Sequence, residues 1–318
     1  MMKKRGAVSY VWIFSLIIGA LILFLAIFSA QKFTETSSLQ EQRTLVRQFD
    51  ILLDPFASVG SIATMTLSKS VSMATDVQIN FRCSKEENYN EVNLRTKTRG
   101  EWNKWPIPGF KIRDKYVFSE SLEGKDFWVF AKQFEMPWRV DDLIYIADQS
   151  YCFNFDIENA PQNMKPELEA IKREVEALQS DVIAVEGSCI PGSKDVCIKT
   201  SHGRRDCSIN VFYDLGLVKK DGESIPFIDN SLMYGIILSD PEFYDCNLNR
   251  LLRRARTQTE INLDKAKVME QKGCNTRGLQ SSLEKMKTEL NRERIIIGEL
   301  KRISEEVEKN NPKECAVF

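Results

Sequence analysis

The chain has 318 residues, 43% of them hydrophobic and 28% charged, with a formal net charge of −1. Those fractions exclude wholesale disorder, and the near-neutral balance lacks the basic excess of a nucleic-acid-binding protein. A single histidine, His202, leaves little material for histidine-based acid–base or metal chemistry.

Between Gly6 and Gln31 there is no charged side chain. The apolar run Ala7–Phe28, 22 residues, makes about 33 Å of helix, enough to cross a hydrocarbon core of about 30 Å. Backbone groups at that depth find no water, so a helix is the expected conformation. A core helix is seldom apolar on every side for so long. A cleaved secretory signal would have a shorter apolar region and a small residue three positions before the cut, where the sequence around Phe28-Ser29-Ala30-Gln31 offers a bulky one. A retained transmembrane helix is expected over residues 7–30, behind a cytoplasmic basic tip at residues 1–6. Lys3, Lys4 and Arg5 precede the span, whereas Lys32, Arg43 and Arg47 on its far side are diluted by Glu35 and Glu41. The positive-inside bias therefore puts the N-terminus in the cytoplasm and residues 32–318 outside the cell membrane. The lipid bilayer is the first partner the sequence implies.

Residues 37–54 read as an outer helix with Leu39, Leu45, Val46, Phe49, Leu52 and Leu53 on one face, stopped at Pro55. Residues 56–72 carry little pattern. Short strands follow at 77–83, 92–98, 115–119, 126–131, 143–146 and 151–155, separated by turn signals such as Arg99-Gly100 and Glu123-Gly124. A helix at 166–178 shows the stripe Leu168, Ile171, Val175, Leu178. Strands return at 182–185, 195–199, 207–213, 224–228 and 232–238. Two long charged helices, 243–272 and 279–309, are joined by Gly273–Gly278. In the second, apolar residues step by four and three from Leu279 to Val307, interrupted only at Glu293 and Ser304. That seam is coiled-coil-like, and the short connection suits an antiparallel helical hairpin. The expected fold class is α+β: a transmembrane helix continuing into an outer helix, a mixed β-rich ectodomain at 32–238, a helical hairpin at 243–310 and a tail at 311–318.

All eight cysteines, Cys83, Cys152, Cys189, Cys197, Cys207, Cys246, Cys274 and Cys315, fall on the outer side of the span. None forms a Cys-x2–4-Cys knuckle, so disulfides are expected rather than a structural metal. Eight cysteines allow 105 connectivities. Hairpin geometry argues for one pair, Cys246–Cys315, because two antiparallel helices of equal length bring their outer ends together.

The motifs of familiar chemistry are missing. His202 lies in a polar turn, no Gly-x-Ser-x-Gly elbow surrounds a serine, and no phosphate-binding or dinucleotide-binding loop is present, so no cofactor is expected. Carboxylates such as Asp141-Asp142 and Glu305-Glu306 could serve an envelope hydrolase only if the fold paired two of them at a defined separation. The most unusual loop holds Trp102 and Trp105: either a stacking platform for sugar or peptide, or a turn whose rings cover a sheet edge. Arg250, Arg253, Arg254 and Arg256 form a basic cluster for which pairing with Glu299, Glu305 and Glu306 of the opposite hairpin helix is the simplest expectation.

The N-terminal Lys3-Lys-Arg-Gly6, followed at once by Ala7-Val-Ser-Tyr and the apolar helix, resembles an archaeal class III signal of the type IV pilin kind. That resemblance implies cleavage between Gly6 and Ala7, a helix that anchors or assembles the subunit, and a β-rich head outside. The chain departs from the pattern at Val11, where such signals carry a glutamate. Tyr116–Gly124, Met136–Tyr145 and Leu232–Cys246 resemble stretches of uncharacterised archaeal membrane-anchored surface proteins, a likeness that carries no activity. The expected function is that of a single-pass, disulfide-stabilised surface protein, structural or partner-binding and not an enzyme. Self-association through the helical hairpin is its expected protein contact.

Overall fold

The computed structural model describes residues 10–57, 67–87, 89–98, 100–105, 109–292 and 295–318. Gly6 and Ala7, the expected processing site, lie outside the described residues, as does the basic tip.

Helix α1 (Tyr10–Ala57) is one continuous helix of 48 residues. It joins the expected span to the expected outer helix without a break and passes Pro55 by two residues. A first sheet follows, built from β1 (Leu67–Cys83), β2 (Tyr89–Thr98), β3 (Glu101–Trp102), β4 (Phe110–Arg113), β5 (Tyr116–Phe118), β6 (Ser121–Glu135) and β7 (Arg139–Ala147). Its order is β3-β2-β1-β6-β7-β5, with β4 sharing the outer edge of β2. All pairings are antiparallel except that of β5 with β7.

The second sheet contains β8 (Tyr151–Phe155), β9 (Ile183–Val185), β10 (Lys194–Lys199), β11 (Ile209–Phe212), β12 (Leu217–Lys220) and β13 (Glu223–Pro226), in the order β13-β12-β11-β10-β8-β9. Strands β9, β8, β10 and β11 run parallel, and α2 (Lys165–Ala177) makes the crossover from β8 to β9. Four helices complete the chain: α3 (Asn230–Leu238), α4 (Pro241–Gln271), α5 (Arg277–Leu290) and α6 (Ile297–Asn310).

Period-two alternation in the first sheet feeds two cores. Phe127, Val129 and Ala131 of β6, with Ile144 and Ile146 of β7, pack with Val46, Phe49 and Leu53 of α1. The residues between them, Phe130 and Phe134 with Leu143 and Tyr145, face α3 and the second sheet. Helix α3 is central, buried from Ser231 to Leu238. Sequence reading makes 232–238 a strand, and the structure corrects it. A short stretch that is apolar on every side has no periodicity to read. Asp229 decides the matter as N-cap, accepting the Leu232 amide at 3.0 Å.

The C-terminal helices correct two further expectations. The second long helix is two, because the chain turns between Asn291 and Ile296; Glu289, 2% exposed, accepts the Ile296 amide at 3.0 Å across that turn. Helix α5 runs back along α4, with Thr276 bonded to the Ala266 carbonyl and Lys287 paired with Glu260. Helix α6 then reverses along α5, with Lys285 on Glu306 and Asn310 on Ser282. Both contacts are antiparallel, and the seam residues Leu279, Leu283, Met286, Leu300, Ile303 and Val307 are buried between them.

Three passes put the chain's last residues beside the α4–α5 turn. The disulfides are Cys83–Cys246, Cys152–Cys189, Cys197–Cys207 and Cys274–Cys315. A Cys246–Cys315 bond does not form, because Cys315 sits beyond the C-terminal end of α4, about 40 Å along the helix from Cys246.

Candidate functional site

The window Trp12–Ser29 of α1 is apolar, about 27 Å long, and entirely unburied by the rest of the protein. The same helix then enters the core. Gln42, Val46, Phe49 and Leu53 follow a helical stripe and are all at most 3% exposed. Lys115, in the turn after β4 and itself 7% exposed, reaches the helix with its ammonium. It pairs with Asp50 and, at 2.8 Å, with Asp54, and donates to the Asp50 carbonyl at 2.9 Å. Asp114, at φ 53°, turns the backbone so that Lys115 can point there. An apolar, uncovered helix window thus continues without a break into a segment packed in the body.

Close to where α1 enters that body, Gln42 donates to the carbonyl of Lys104 at 3.1 Å, which places the tryptophan loop there. Strand β2 sends Leu94 and Thr96 inward and Arg95 and Lys97 to the opposite face. Trp102 stands opposite Lys97 across the β2–β3 pairing. The structure brings Trp102 and Trp105 together around Arg95, whose guanidinium lies 5.5 Å from one ring centroid and 4.5 Å from the other. Lys97 sits 5.5 Å from Trp102, and Lys111 4.1 Å from Tyr89. Arg95 is held in place by Gln78 at 2.7 Å, and Gln78 by Glu123 at 3.0 Å. These rings stack on the chain's own cations.

His202 is exposed, in the loop between β10 and β11. Ser201 donates to Asp214 at 2.5 Å and lies 3.4 Å from His202 Nδ1. In a catalytic triad the histidine sits between the hydroxyl and the acid; here the hydroxyl sits between the other two. That loop also lies against the carboxyl ends of β8 and β10, the ends at which open α/β sheets commonly place ligands. The Arg204 amide donates to Asp156 at 3.1 Å, and a Cβ on Gly203 would stand 2.6 Å from that of Lys199. The loop occupies this end of the sheet, and Cys197–Cys207 ties it down.

Two carboxyl groups do meet. Glu120, before β6, hydrogen-bonds Asp240, the residue preceding α4, and its pKa is pushed up to about 7 by that bond, by burial and by the charge of Asp240. Direct contact leaves no room between them for the roughly 5–9.5 Å separation that glycoside hydrolysis uses. Asp141 is raised by burial and opposed by Arg254 at 2.9 Å. Among the described residues no group of three or more His, Cys, Asp or Glu could hold a metal ion.

The arginine cluster is not neutralised by the opposite helix. Arg250, 3% exposed, bonds Asn90 at 2.6 Å, Asn247 at 2.9 Å and the Glu87 carbonyl, and lies 5.1 Å from the Tyr116 ring centroid. Arg253 takes the Glu86 carbonyl, and Arg254 takes Asp141 and the Val140 carbonyl. Glu299 pairs with Arg302, and Glu306 with Lys285 and Arg302. Arg250, Arg253 and Arg254 line the face of α4 turned to the first sheet and the β1–β2 loop, whose carbonyls they bond. Sequence reading places Lys115 only as the first residue of a strand and misses its role; its signal is a lysine after Arg113-Asp114 that opens the apolar run Tyr116-Val-Phe118. Comparison with known protein families, with curated proteins and with solved structures returned no match to this chain.

Proposed function

We propose that this chain is a single-pass membrane protein whose disulfide-linked body stands outside the cytoplasm and acts by structural support or by binding a partner. One observation carries the reading: α1 is continuous from a bare apolar window to a buried, ion-paired segment of the core. An apolar helix surface of that length is unfavourable in water and favourable in lipid. Four disulfides suit an oxidising compartment. Protein contact falls most naturally to the exposed side of the C-terminal helices, where Ile261 and Val268 stand in solvent two turns apart.

Membrane flotation after alkaline extraction, combined with a membrane-impermeant thiol reagent on intact cells, tests this. The expected outcome is co-flotation with lipid, with labelling of the cysteines only after reduction. Free, unfloated protein, or thiols that react without reduction, would overturn it. The same long helix docked on an antiparallel sheet also supports a second reading, a pilin-like subunit processed after Gly6. It predicts a mature chain beginning at Ala7, and intact-mass measurement of membrane-extracted protein decides between the two.

A further inference from the structure

The sequence is nearly neutral as a whole, yet the described residues between Tyr89 and Arg113 carry Arg95, Lys97, Lys104, Lys111 and Arg113 against two acids, Glu91 and Glu101. This stretch, with its basic excess, is the β2–β4 edge that also holds Trp102, Trp105 and Phe110. Its position is set by α1, since Gln42 bonds the carbonyl of Lys104. Thirteen residues, about 20 Å of helix, separate Gln42 from Ser29 at the end of the apolar window.

We propose that this edge binds the anionic headgroups of the same bilayer that α1 crosses, and so sets the tilt at which the rod stands; this rests on the spanning reading above. Headgroups occupy about 5–8 Å beyond the hydrocarbon. An upright rod holds Gln42 roughly 12–15 Å clear of them, beyond a Debye length of about 10 Å at 0.1 M salt. Tilting by about 40°, within the range of transmembrane helices, lowers Gln42 to about 15 Å above the hydrocarbon. A layer packed about 10 Å to the side of the axis drops roughly 6 Å further, which brings the edge to within a few ångströms of the headgroups. The exposed Lys97, Lys104 and Lys111 supply the charge. The half-buried Trp102 and Trp105, held around Arg95, supply rigid amphipathic rings of the kind enriched at membrane interfaces.

The test uses the full chain in nanodiscs of phosphatidylcholine alone or with about one third phosphatidylglycerol, followed by hydrogen exchange. Amides of residues 100–105 and 109–113 are expected to exchange fivefold or more slowly in the anionic discs. K97Q/K104Q/K111Q should abolish that difference while exchange in β6 and α4 stays unchanged, which shows that the variant is folded. Equal exchange in the two lipids, or a variant that keeps the full difference, overturns the inference. So does equal slowing by soluble dextran sulfate with zwitterionic discs, which would assign the edge to a soluble polyanion. A chain that fails to enter the discs removes the spanning reading and this one together. Entry without lipid-dependent protection removes this one alone.

Discussion

Replacing Phe49 with alanine tests whether the membrane-side rod and the body are one rigid unit. Phe49 is fully buried, and its ring lies 6.2 Å from that of Phe81 on β1. Val46, Phe49 and Leu53 are the large apolar side chains with which α1 buries itself in the first sheet. At about 1.5–3 kcal/mol each they supply roughly 5–9 kcal/mol of docking. Truncating a buried phenylalanine costs about 3–5 kcal/mol in transfer and cavity terms, a third or more of that sum. Lys115 would still hold Asp50 and Asp54, but both acids are partly exposed and the pairs are correspondingly weak. Local release of α1 should therefore become about 10²- to 10⁴-fold more frequent. Hydrogen exchange across residues 42–54 of the full chain in detergent reads this directly. Ile51→Ala, at a position 64% exposed, serves as the control and should change stability by less than about 0.5 kcal/mol. If Phe49→Ala leaves exchange in that segment unchanged, α1 is not docked as described and the rigid coupling of span to body is wrong.

Removing Cys83–Cys246, which closes 163 residues, should cost about 5 kcal/mol by the loop-entropy relation. Removing Cys274–Cys315, which closes 41, should cost about 4; denaturant titration of the paired serine variants gives the order. Glu120 has its pKa raised to about 7 in the folded protein, so its protonated bond to Asp240 contributes fully below the ordinary glutamate range and is lost as pH rises through 7. Melting temperature measured from pH 4 to 8 should accordingly show a fall in the wild type that is smaller in Glu120→Gln, and identical profiles would rule the contact out. Gly235→Ala would place a Cβ 2.8 Å from the Phe118 ring inside the central helix. The overpacking should lower stability by about 1–3 kcal/mol, visible in the same melting experiment.

Much of the fold was legible because its signals are local. The uncharged run after Gly6, the alternation through Val77–Cys83 and the stripe of Leu168, Ile171 and Val175 each report a period that one element imposes on its own residues. Leu232–Leu238 was not legible, since a helix buried on every side has lost the polar face that marks its period. The tryptophan loop was visible as a composition, but not Arg95 between its rings, because their meeting depends on the register of β2 with β3.

By itself the sequence determined that a long apolar rod leads the chain, that oxidisable cysteines all follow it, and that strands precede a charged helical end. Those are properties of composition and spacing, and they hold before any long-range contact forms. Only the tertiary structure decided which cysteines pair, that the rod runs unbroken into the core, and that a basic edge sits where the rod enters. Such facts depend on how many times the chain reverses. One extra turn between Asn291 and Ile296 moved Cys315 the length of a helix away from Cys246 and onto Cys274.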